Sequence, residues 1–216
     1  MRAIVAALPR EVSGLVKGWE RREVARLVFV YRKGDAVVTC AGMGAGRITL
    51  AVRAALAEGA TELVSAGLAG ACDPGLKIGD VVRAGVVVDS ATGERFGDAG
   101  AGRVLVTAGS IASVAEKGRL WQAYGAATVD MEAATVARLA AAHGVKFRAV
   151  KVISDVASFE LEELEKFGTV DGQFREAAFA AYAMMRPRLW GKLIALAGNS
   201  KKALGALTEA MRAEFD

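Results

Sequence analysis

Two acidic residues flank a methionine in the stretch ATVDMEAAT, at residues 127–135. Asp130 and Glu132 stand just before a run of alanines that predicts a helix. Carboxylates at the start of a helix can simply complement its dipole. A chemical role for the pair, as a ligand for a substrate or as an acid or base, has to be set against that structural role.

Histidine and cysteine offer little to any chemistry. His143 is the only histidine, and because it precedes Gly144, where a helix is expected to end, it is predicted to cap that helix. Cys40 and Cys72 lie far apart without a CxxC spacing, which indicates neither a disulfide framework nor a zinc site. Chemistry would therefore depend on carboxylates, backbone amides and hydroxyls, with no metal ion and no cofactor.

Alternating strand and helix patterns predict an α/β fold with a largely parallel or mixed sheet. Short apolar runs predict strands, and apolar periodicity or alanine runs predict helices. On this basis one helix is predicted at residues 131–142, and strands are predicted at residues 3–8, 27–32, 36–41, 81–88, 104–108 and 147–153. The turns LPRE, GMGAG, GLAGA and SDVAS follow predicted strands, and ligands in such sheets bind beyond the carboxyl ends of strands. No linker or repeat divides the chain, so a single domain over residues 1–216 is predicted.

Composition limits the classes of protein. A chain of 216 residues that is 53% apolar can bury a sizeable core. Uncharged runs such as 104–115 are shorter than the roughly 20 residues of a membrane helix, and the N-terminus meets charge too early for a signal peptide. The net charge of +4 comes without the interleaved aromatic and basic residues of a nucleic-acid surface. A cytoplasmic protein with no nucleic-acid partner is predicted.

The glycine pattern GMGAG would be compatible with a dinucleotide site if it stood alone. Such sites carry an acidic residue at a strand end about 20 residues later, whereas Glu58 and Glu62 fall at a helix end and in a turn. Gly42, Gly44 and Gly46 more simply permit a tight strand-to-helix turn or the close approach of a small ligand. A small-ligand loop is therefore favoured over a dinucleotide loop.

Five motifs occur in order between residue 3 and about residue 158: IVAALPREV, GMGAGRITLA, SAGLAGACDPGLKIGDVV, VDMEAATVARLA and VKVISDVAS. Taken together, they resemble the nucleoside phosphorylase and nucleosidase superfamily, which includes purine nucleoside phosphorylases and methylthioadenosine/S-adenosylhomocysteine nucleosidases. The resemblance implies a single-domain, three-layer α/β/α fold with a central mixed sheet. It also implies a homodimer or higher homo-oligomer, because the family commonly builds its pocket at a subunit contact.

The resemblance implies a role for each acid. Asp155 in ISD would hydrogen-bond the purine at N7, and Glu11 in PREV would activate the attacking water. Glu132 would hold the ribose 2′ and 3′ hydroxyls, with Met131 packed against the sugar. Four further residues of the same motifs are expected to bind substrate: Ser154, Gly67, Ala69 and Gly44. The segment 111–114 is expected to frame the base.

Cleavage of an N-ribosidic bond would need these groups on physical grounds as well. The reaction leaves an oxocarbenium-like sugar and a purine anion, so a site needs a proton donor for the base and negative charge near the sugar. Asp155 can supply the proton, and Glu132 can orient the diol and stabilise the charge. Asp130 is then left to support the loop or the start of the helix.

Water is the expected nucleophile, and phosphate is the alternative co-substrate. Phosphorylases of the superfamily hold phosphate with arginines and a serine, and this chain has Ser65 and Leu68 at two of those positions. The presence of Glu11 also favours hydrolysis. Arg10 and Arg47 nevertheless fall on predicted loops where a guanidinium group could bind phosphate.

The C-terminal segment, about residues 186–216, resembles the tail of hopanoid-associated phosphorylases, which implies adenosylhopane as a substrate. Its pattern predicts two short helices separated at Gly198. Basic residues border an apolar face within 190–196, which could contact an anionic membrane. The alternative is that the segment packs on the domain or on a partner subunit.

The leading hypothesis is an enzyme that releases adenine from a purine nucleoside. A methylthioadenosine/S-adenosylhomocysteine or futalosine nucleosidase is the alternative within the same chemistry. A non-catalytic nucleoside- or lipid-binding protein is the alternative of another class. Such a protein would be expected to lack one of Glu11, Glu132 and Asp155, and all three are present.

Overall fold

A mixed β-sheet forms the centre of the protein in the computed structural model, which describes residues 1–98, 102–159 and 187–215, the last range as backbone only up to residue 196. Its described strands, in chain order, are β1 Arg2–Ala6, β2 Glu20–Ala25, β3 Val28–Lys33, β4 Ala36–Cys40, β5 Glu62–Ala71, β6 Val81–Asp89, β7 Arg95–Gly97, β8 Arg103–Thr107, β9 Ala126–Asp130 and β10 Lys146–Asp155. The hairpin of β3 and β4 was predicted and is confirmed.

The sheet combines an open part with a closed ring. The open part has the strand order β2-β3-β4-β1-β5, and from β5 the sheet continues through β9, β8, β6 and β10. Strand β10 returns to pair in parallel with β5, which closes the ring, and β7 pairs with β6. Strands β1, β4, β5 and β10 run parallel to one another, so their carboxyl ends meet at one edge.

Helices cover both faces of the sheet, which confirms the predicted three-layer α/β/α arrangement. The described helices are α1 Pro9–Val12, α2 Ala45–Ala57, α3 Val114–Tyr124, α4 Ala133–Ala142 and α5 Pro187–Arg212. Side chains of β1 alternate between the two faces. Ile4 lies in the same core cluster as Leu207 of α5, whereas Val5 lies in the cluster that contains Ile48 of α2 and Val136 of α4. His143 follows α4 as its C-cap, as predicted.

The C-terminal segment differs from the sequence-based prediction. One continuous helix, α5, runs through Gly198, where two short helices were predicted. A single glycine inside a helix costs only about 1 kcal/mol, and packing of the second half compensates, because Ala203, Leu207 and Met211 are fully buried. Packing on the domain is thus confirmed for this half. The predicted apolar face within 190–196 lies outside the described side chains, and no helix of the described residues is long and apolar enough to cross a membrane.

Candidate active site

The ends of several strands bring the predicted acids into one cavity of about 540 Å³. Glu11 lies on α1 directly after β1, Asp155 ends β10, and Glu132 connects β9 to α4. The parallel strands β1, β5 and β10 deliver the first two to the same edge, and β9 reaches that edge by pairing with the end of β5. Other predicted residues that line the cavity are Met131, Ser154, Ala69 and Arg10.

Glu11 is buried and held by backbone amides. The N–H of Leu8 donates to Oε2 at 2.8 Å, and the N–H of Leu68 donates to Oε1 at 3.0 Å. A Cβ atom on Gly67 would lie 3.1 Å from Oε1, so glycine leaves room for this carboxylate instead of lining the cavity itself. Because a carboxylate can accept about four hydrogen bonds, Glu11 retains acceptor capacity for a water molecule in the cavity.

Asp130 supports the local structure, as its sequence context predicted. Its Oδ1 accepts from the hydroxyl of Thr107 at 2.7 Å, and its Oδ2 accepts from the backbone N–H of Ala133 at 2.9 Å. Oδ2 also lies 2.9 Å from the ammonium nitrogen of Lys151. These contacts fix the first turn of α4 and therefore the position of the neighbouring Glu132.

Of the two acids that flank Met131, Glu132 is the one that can bind a ligand in the cavity. The N–H of Gly44 donates to its Oε1 at 3.0 Å, and Gly44 has a φ of +84°, a conformation that strongly favours glycine. Burial raises the pKa of Glu132 to about 7, and the nearby charge of Asp130 adds to the effect, while Lys151 and the Gly44 amide oppose it. Gly44 thus acts on the site through Glu132.

Lys151 is a buried cation behind these acids that the sequence did not single out. Its side chain is 2% exposed, and besides pairing with Asp130 it donates to the hydroxyl of Ser65 at 3.1 Å. Burial alone would lower the pKa of Lys151, but the charges of Asp130, Glu132 and Glu11 outweigh burial and raise it. Lys151 is therefore charged and balances part of a strongly acidic cluster.

Asp155, which also lines the cavity, is held by two donors. The hydroxyl of Ser154 donates to Oδ1 at 2.8 Å, and the ammonium group of Lys117 donates to Oδ2. Lys117 lies on α3, lines the same cavity and has a side chain that is 3% exposed. A Cβ atom on Gly70 would lie 2.9 Å from Oδ2, so only glycine fits beside the pair.

The two arginines predicted to bind phosphate lie in different places. Arg10 lines the cavity on α1. The guanidinium group of Arg47 donates to the backbone carbonyls of Ala41, Arg26 and Leu27 at 2.6 to 3.0 Å. Arg47 therefore ties the loop between β2 and β3 to the glycine loop, and this position does not support the phosphate role that its sequence context suggested.

The segment expected to frame the base is only partly at the cavity. Ile111 and Ala112 line it, whereas Val114 begins α3 and faces a neighbouring cavity. Ala197 and Ser200 of α5 also line the main cavity, which the sequence did not indicate. The lining is largely apolar with a few convergent polar groups, the usual composition of a site for a small organic molecule.

The raised pKa of Glu132 predicts a pH-dependent stability. The pKa of Glu132 is about 7 in the folded state and 4.5 in the unfolded state, so the folded protein binds this proton more tightly. The protonated carboxyl therefore contributes fully to the free energy of unfolding below pH 4.5, and this contribution is lost as the pH rises through 7. At about 1.4 kcal/mol per tenfold change in proton affinity, the loss amounts to a few kcal/mol. Urea unfolding of the wild type and of Glu132→Gln at pH 5.0 and 7.5 should show the wild type losing stability relative to the variant. A constant difference would contradict this prediction.

Comparison with known proteins agrees with this architecture. A family model described as the phosphorylase superfamily matches residues 2–101 and 90–186. Solved structures with a similar fold include the methylthioadenosine/S-adenosylhomocysteine nucleosidase of Helicobacter pylori, with 20% identity, coverage of 72% of this chain and 85% of that chain, and a TM-score of 0.64. The corresponding nucleosidase of Campylobacter jejuni has 22% identity, coverage of 74% of this chain and 88% of that chain, and a TM-score of 0.60. A futalosine hydrolase mutant of Helicobacter pylori has 18% identity, coverage of 70% of this chain and 88% of that chain, and a TM-score of 0.61. A search of curated proteins finds no match. Since the family model covers most of the sequence, the chain belongs to the phosphorylase superfamily.

Proposed function

We propose that this protein is an enzyme that cleaves the N-ribosidic bond of a purine nucleoside and releases the base, with adenine as the expected base. The observation that carries the proposal is the convergence of Glu11, Glu132 and Asp155 on one cavity from three separate parts of the chain. Membership of the phosphorylase superfamily supports it, as do the activities in the names of the fold relatives.

Glu132 and Met131 form the sugar side of the proposed site. Glu132 is fixed by the Gly44 amide at one oxygen and faces the cavity, so its carboxylate can accept hydrogen bonds from the 2′ and 3′ hydroxyls. Negative charge at this position stabilises the positive charge that develops on the sugar when the bond to the base breaks. Met131, which also lines the cavity, gives the sugar ring an apolar surface.

Asp155 forms the base side. As the C1′–N9 bond breaks, its electron pair moves into the purine, and a proton has to reach N7 of the ring. Asp155, which accepts a hydrogen bond from Ser154 and is paired with Lys117, is the acid that delivers this proton. General acid catalysis of this kind contributes about 10²- to 10⁴-fold to a rate.

Water is the proposed nucleophile. Glu11 accepts the proton of a water molecule that adds to C1′, so the products are the free base and a free sugar. The residues at the two phosphate-binding positions of related phosphorylases support hydrolysis, because Leu68 has no hydroxyl and Ser65 is 1% exposed and bonded to Lys151. Arg10 is the cavity residue that would favour phosphate instead.

Base release over a panel of nucleosides tests the proposal. The purified protein is incubated with adenosine, inosine, 5′-methylthioadenosine, S-adenosylhomocysteine and adenosylhopane, with and without phosphate, and products are separated by chromatography. The expected result is a free purine and a free sugar without phosphate. A strict requirement for phosphate would overturn the choice of water. Binding without base release from any of these compounds would favour the non-catalytic alternative.

The 5′ substituent of the substrate is the finer part of the proposal. Adenosylhopane follows from the likeness of the C-terminal segment, and methylthioadenosine, S-adenosylhomocysteine and futalosine are the alternatives. Ala197 and Ser200 of α5 line the cavity with small side chains. Small side chains leave space in the cavity, which supports a substrate larger than adenosine. A cytoplasmic location, a homo-oligomeric state and a contact of the C-terminal segment, about residues 186–216, with the membrane surface belong to the same proposal.

A further inference from the structure

We propose that Lys117 is the source of the proton that Asp155 delivers to the purine, so that Asp155 passes a proton on and need not carry one before the reaction begins. The inference rests on the proposed function and deepens it, because it names the group that supplies the acid of the site. Lys117 acts through Asp155 and is therefore a positioning residue, which holds the proton where Asp155 can take it.

An acid that is paired with a cation needs such a supply. In water, a carboxylic acid side chain holds its proton in only about one molecule in 10³ at pH 7, whereas the amine of a lysine is almost completely protonated. A neighbouring ammonium group favours the ionised form of a carboxyl, and Lys117 donates directly to Oδ2 of Asp155. Before the reaction, the proton of this pair therefore lies on Lys117.

The contacts of Lys117 suit both of its protonation states. Its ammonium group donates to Oδ2 of Asp155, to the carbonyl of Val156 at 3.2 Å and to the carbonyl of Phe159 at 3.3 Å. An ammonium group has three N–H donors, so these acceptors use all of them. When the proton shared with Asp155 is transferred, the two remaining N–H groups keep the two carbonyls, and the nitrogen lone pair faces the new O–H group. Each N–H donor thus stays bonded in both states.

Burial of the pair favours the transfer. The side chain of Lys117 is 3% exposed. A Cβ atom on Gly70 would lie 3.1 Å from its Cε and 2.9 Å from Oδ2 of Asp155, so the strand backbone packs against both groups. Because burial penalises the charged forms of an amine and of a carboxyl, it lowers the free-energy cost of a transfer that neutralises both.

Asp155 is the partner with which Lys117 can exchange a proton near neutral pH, among the titratable groups that the described part of the chain places around it. Burial raises the pKa of the Cys72 thiol to about 12, so this thiol stays protonated. Glu116, the preceding residue of α3, lies 2.6 Å from the guanidinium group of Arg119, which lowers the pKa of Glu116 and keeps it ionised.

The proton reaches the purine in two transfers. One proton leaves Nζ of Lys117 and binds Asp155, which turns an ammonium–carboxylate pair into an amine and a carboxylic acid. As the C1′–N9 bond breaks and its electron pair enters the purine, Asp155 gives a proton to N7 and becomes a carboxylate again. Lys117 is left as a neutral amine, and it takes up a proton from solvent after the base has left the cavity.

The test compares single-turnover rates of base release, with enzyme in excess, for the wild type and Lys117→Met between pH 6 and pH 8. The substrate is the compound of the nucleoside panel that the wild type cleaves fastest. Without Lys117, Asp155 has to take its proton from solvent, so the ratio of wild-type to variant rates should grow about tenfold per pH unit. Ionisation of the other acids affects both proteins alike and cancels in the ratio. Lys146→Met, at the exposed start of β10, should match the wild type.

Lys117→Arg separates proton supply from charge. A guanidinium group keeps a positive charge beside Asp155 but does not give up its proton, so this variant should be at least as slow as Lys117→Met at pH 7.5. Near-wild-type rates in Lys117→Arg, or a ratio for Lys117→Met that is the same at every pH, would overturn the inference. Circular dichroism and the melting temperature report on folding, and if one variant does not fold, the other decides by its own measurement.

A p-nitrophenyl riboside, whose leaving group needs no proton, distinguishes this inference from the proposed function. Both Lys117 variants should cleave it at close to the wild-type rate. An equal loss on this compound and on the purine nucleoside would mean that Lys117 only supports the structure of the site, which overturns the inference and leaves the proposed function intact. No base release by the wild type from any nucleoside of the panel would overturn the proposed function and the inference with it.

Discussion

Replacing Asp155 by asparagine should reduce kcat for base release by about 10² to 10⁴-fold, because an amide cannot deliver a proton to N7. The fold should be retained, since asparagine has nearly the same shape and its carbonyl oxygen can still accept from Lys117 or Ser154. Base release is measured by chromatography under saturating substrate, and circular dichroism and the melting temperature report on the fold.

Two controls sharpen this result. Asp35→Asn changes an exposed aspartate in the turn between β3 and β4, at the end of the sheet away from the cavity, and should keep full activity. A p-nitrophenyl riboside releases a stable anion that needs no proton, so Asp155→Asn should lose much less activity on it than on a purine nucleoside. An equal loss on both substrates, or unchanged turnover of the purine nucleoside, would show that Asp155 is not the proton donor.

The acids of the candidate site could be predicted because each lies within a few residues of a strand end. Parallel strands carry their carboxyl ends to one edge whatever their order. This brings Glu11 and Asp155 to one cavity from β1 and β10, whereas Glu132 reaches it because β9 pairs antiparallel with the carboxyl end of β5, a pairing that local sequence patterns do not determine. The supporting role of Asp130, as distinct from the ligand-binding role proposed for Glu132, could also be predicted from local sequence. An acid three residues before a helical N–H commonly caps the helix by accepting a hydrogen bond from it.

The two lysines could not be recognised as readily. Lys117 depends on α3, a helix that was not predicted, although Ser113 followed by Glu116 is a capping-box signal for its start. Lys151 lies within a strand whose residues 149–153 are all buried, because the ring of strands leaves neither side of this stretch in contact with water. A lysine in a strand is normally expected to face solvent, and only the non-local pairing of β10 with β5 and β6 makes this one internal.

Long-range pairing accounts for the other differences as well. Local patterns correctly predicted the β3–β4 hairpin and the glycine loop, whereas closure of the sheet depends on residues far apart in sequence. Residues 126–130 form β9, and α4 begins at Ala133 instead of Met131, because Met131 and Glu132 form the connection. Arg47 was predicted to lie on a loop but lies in the first turn of α2, and the direction of its side chain is set by three carbonyls that no local pattern identifies.

Replacing Lys151 by methionine should lower the free energy of unfolding at neutral pH by about 3–5 kcal/mol, the usual cost of removing one partner from a buried ion pair. Methionine fills a similar space, so the loss comes from charge more than from packing. Asp130, Glu132 and Glu11 would remain together without a countercharge. Urea unfolding followed by circular dichroism measures the effect, and Lys146→Met, at the exposed start of the same strand, should change stability by less than about 0.5 kcal/mol.

A double-mutant cycle with Asp130→Asn shows whether the stabilisation comes from the ion pair. If the charges of Lys151 and Asp130 compensate each other, the double variant Asp130→Asn/Lys151→Met should be more stable than the sum of the two single changes predicts, since one uncompensated carboxylate has been removed with the lysine. Simple additivity would mean that Lys151 stabilises the fold through its packing. In that case the acidic cluster would have to be neutralised by proton uptake, most readily at Glu132, whose pKa is already raised to about 7.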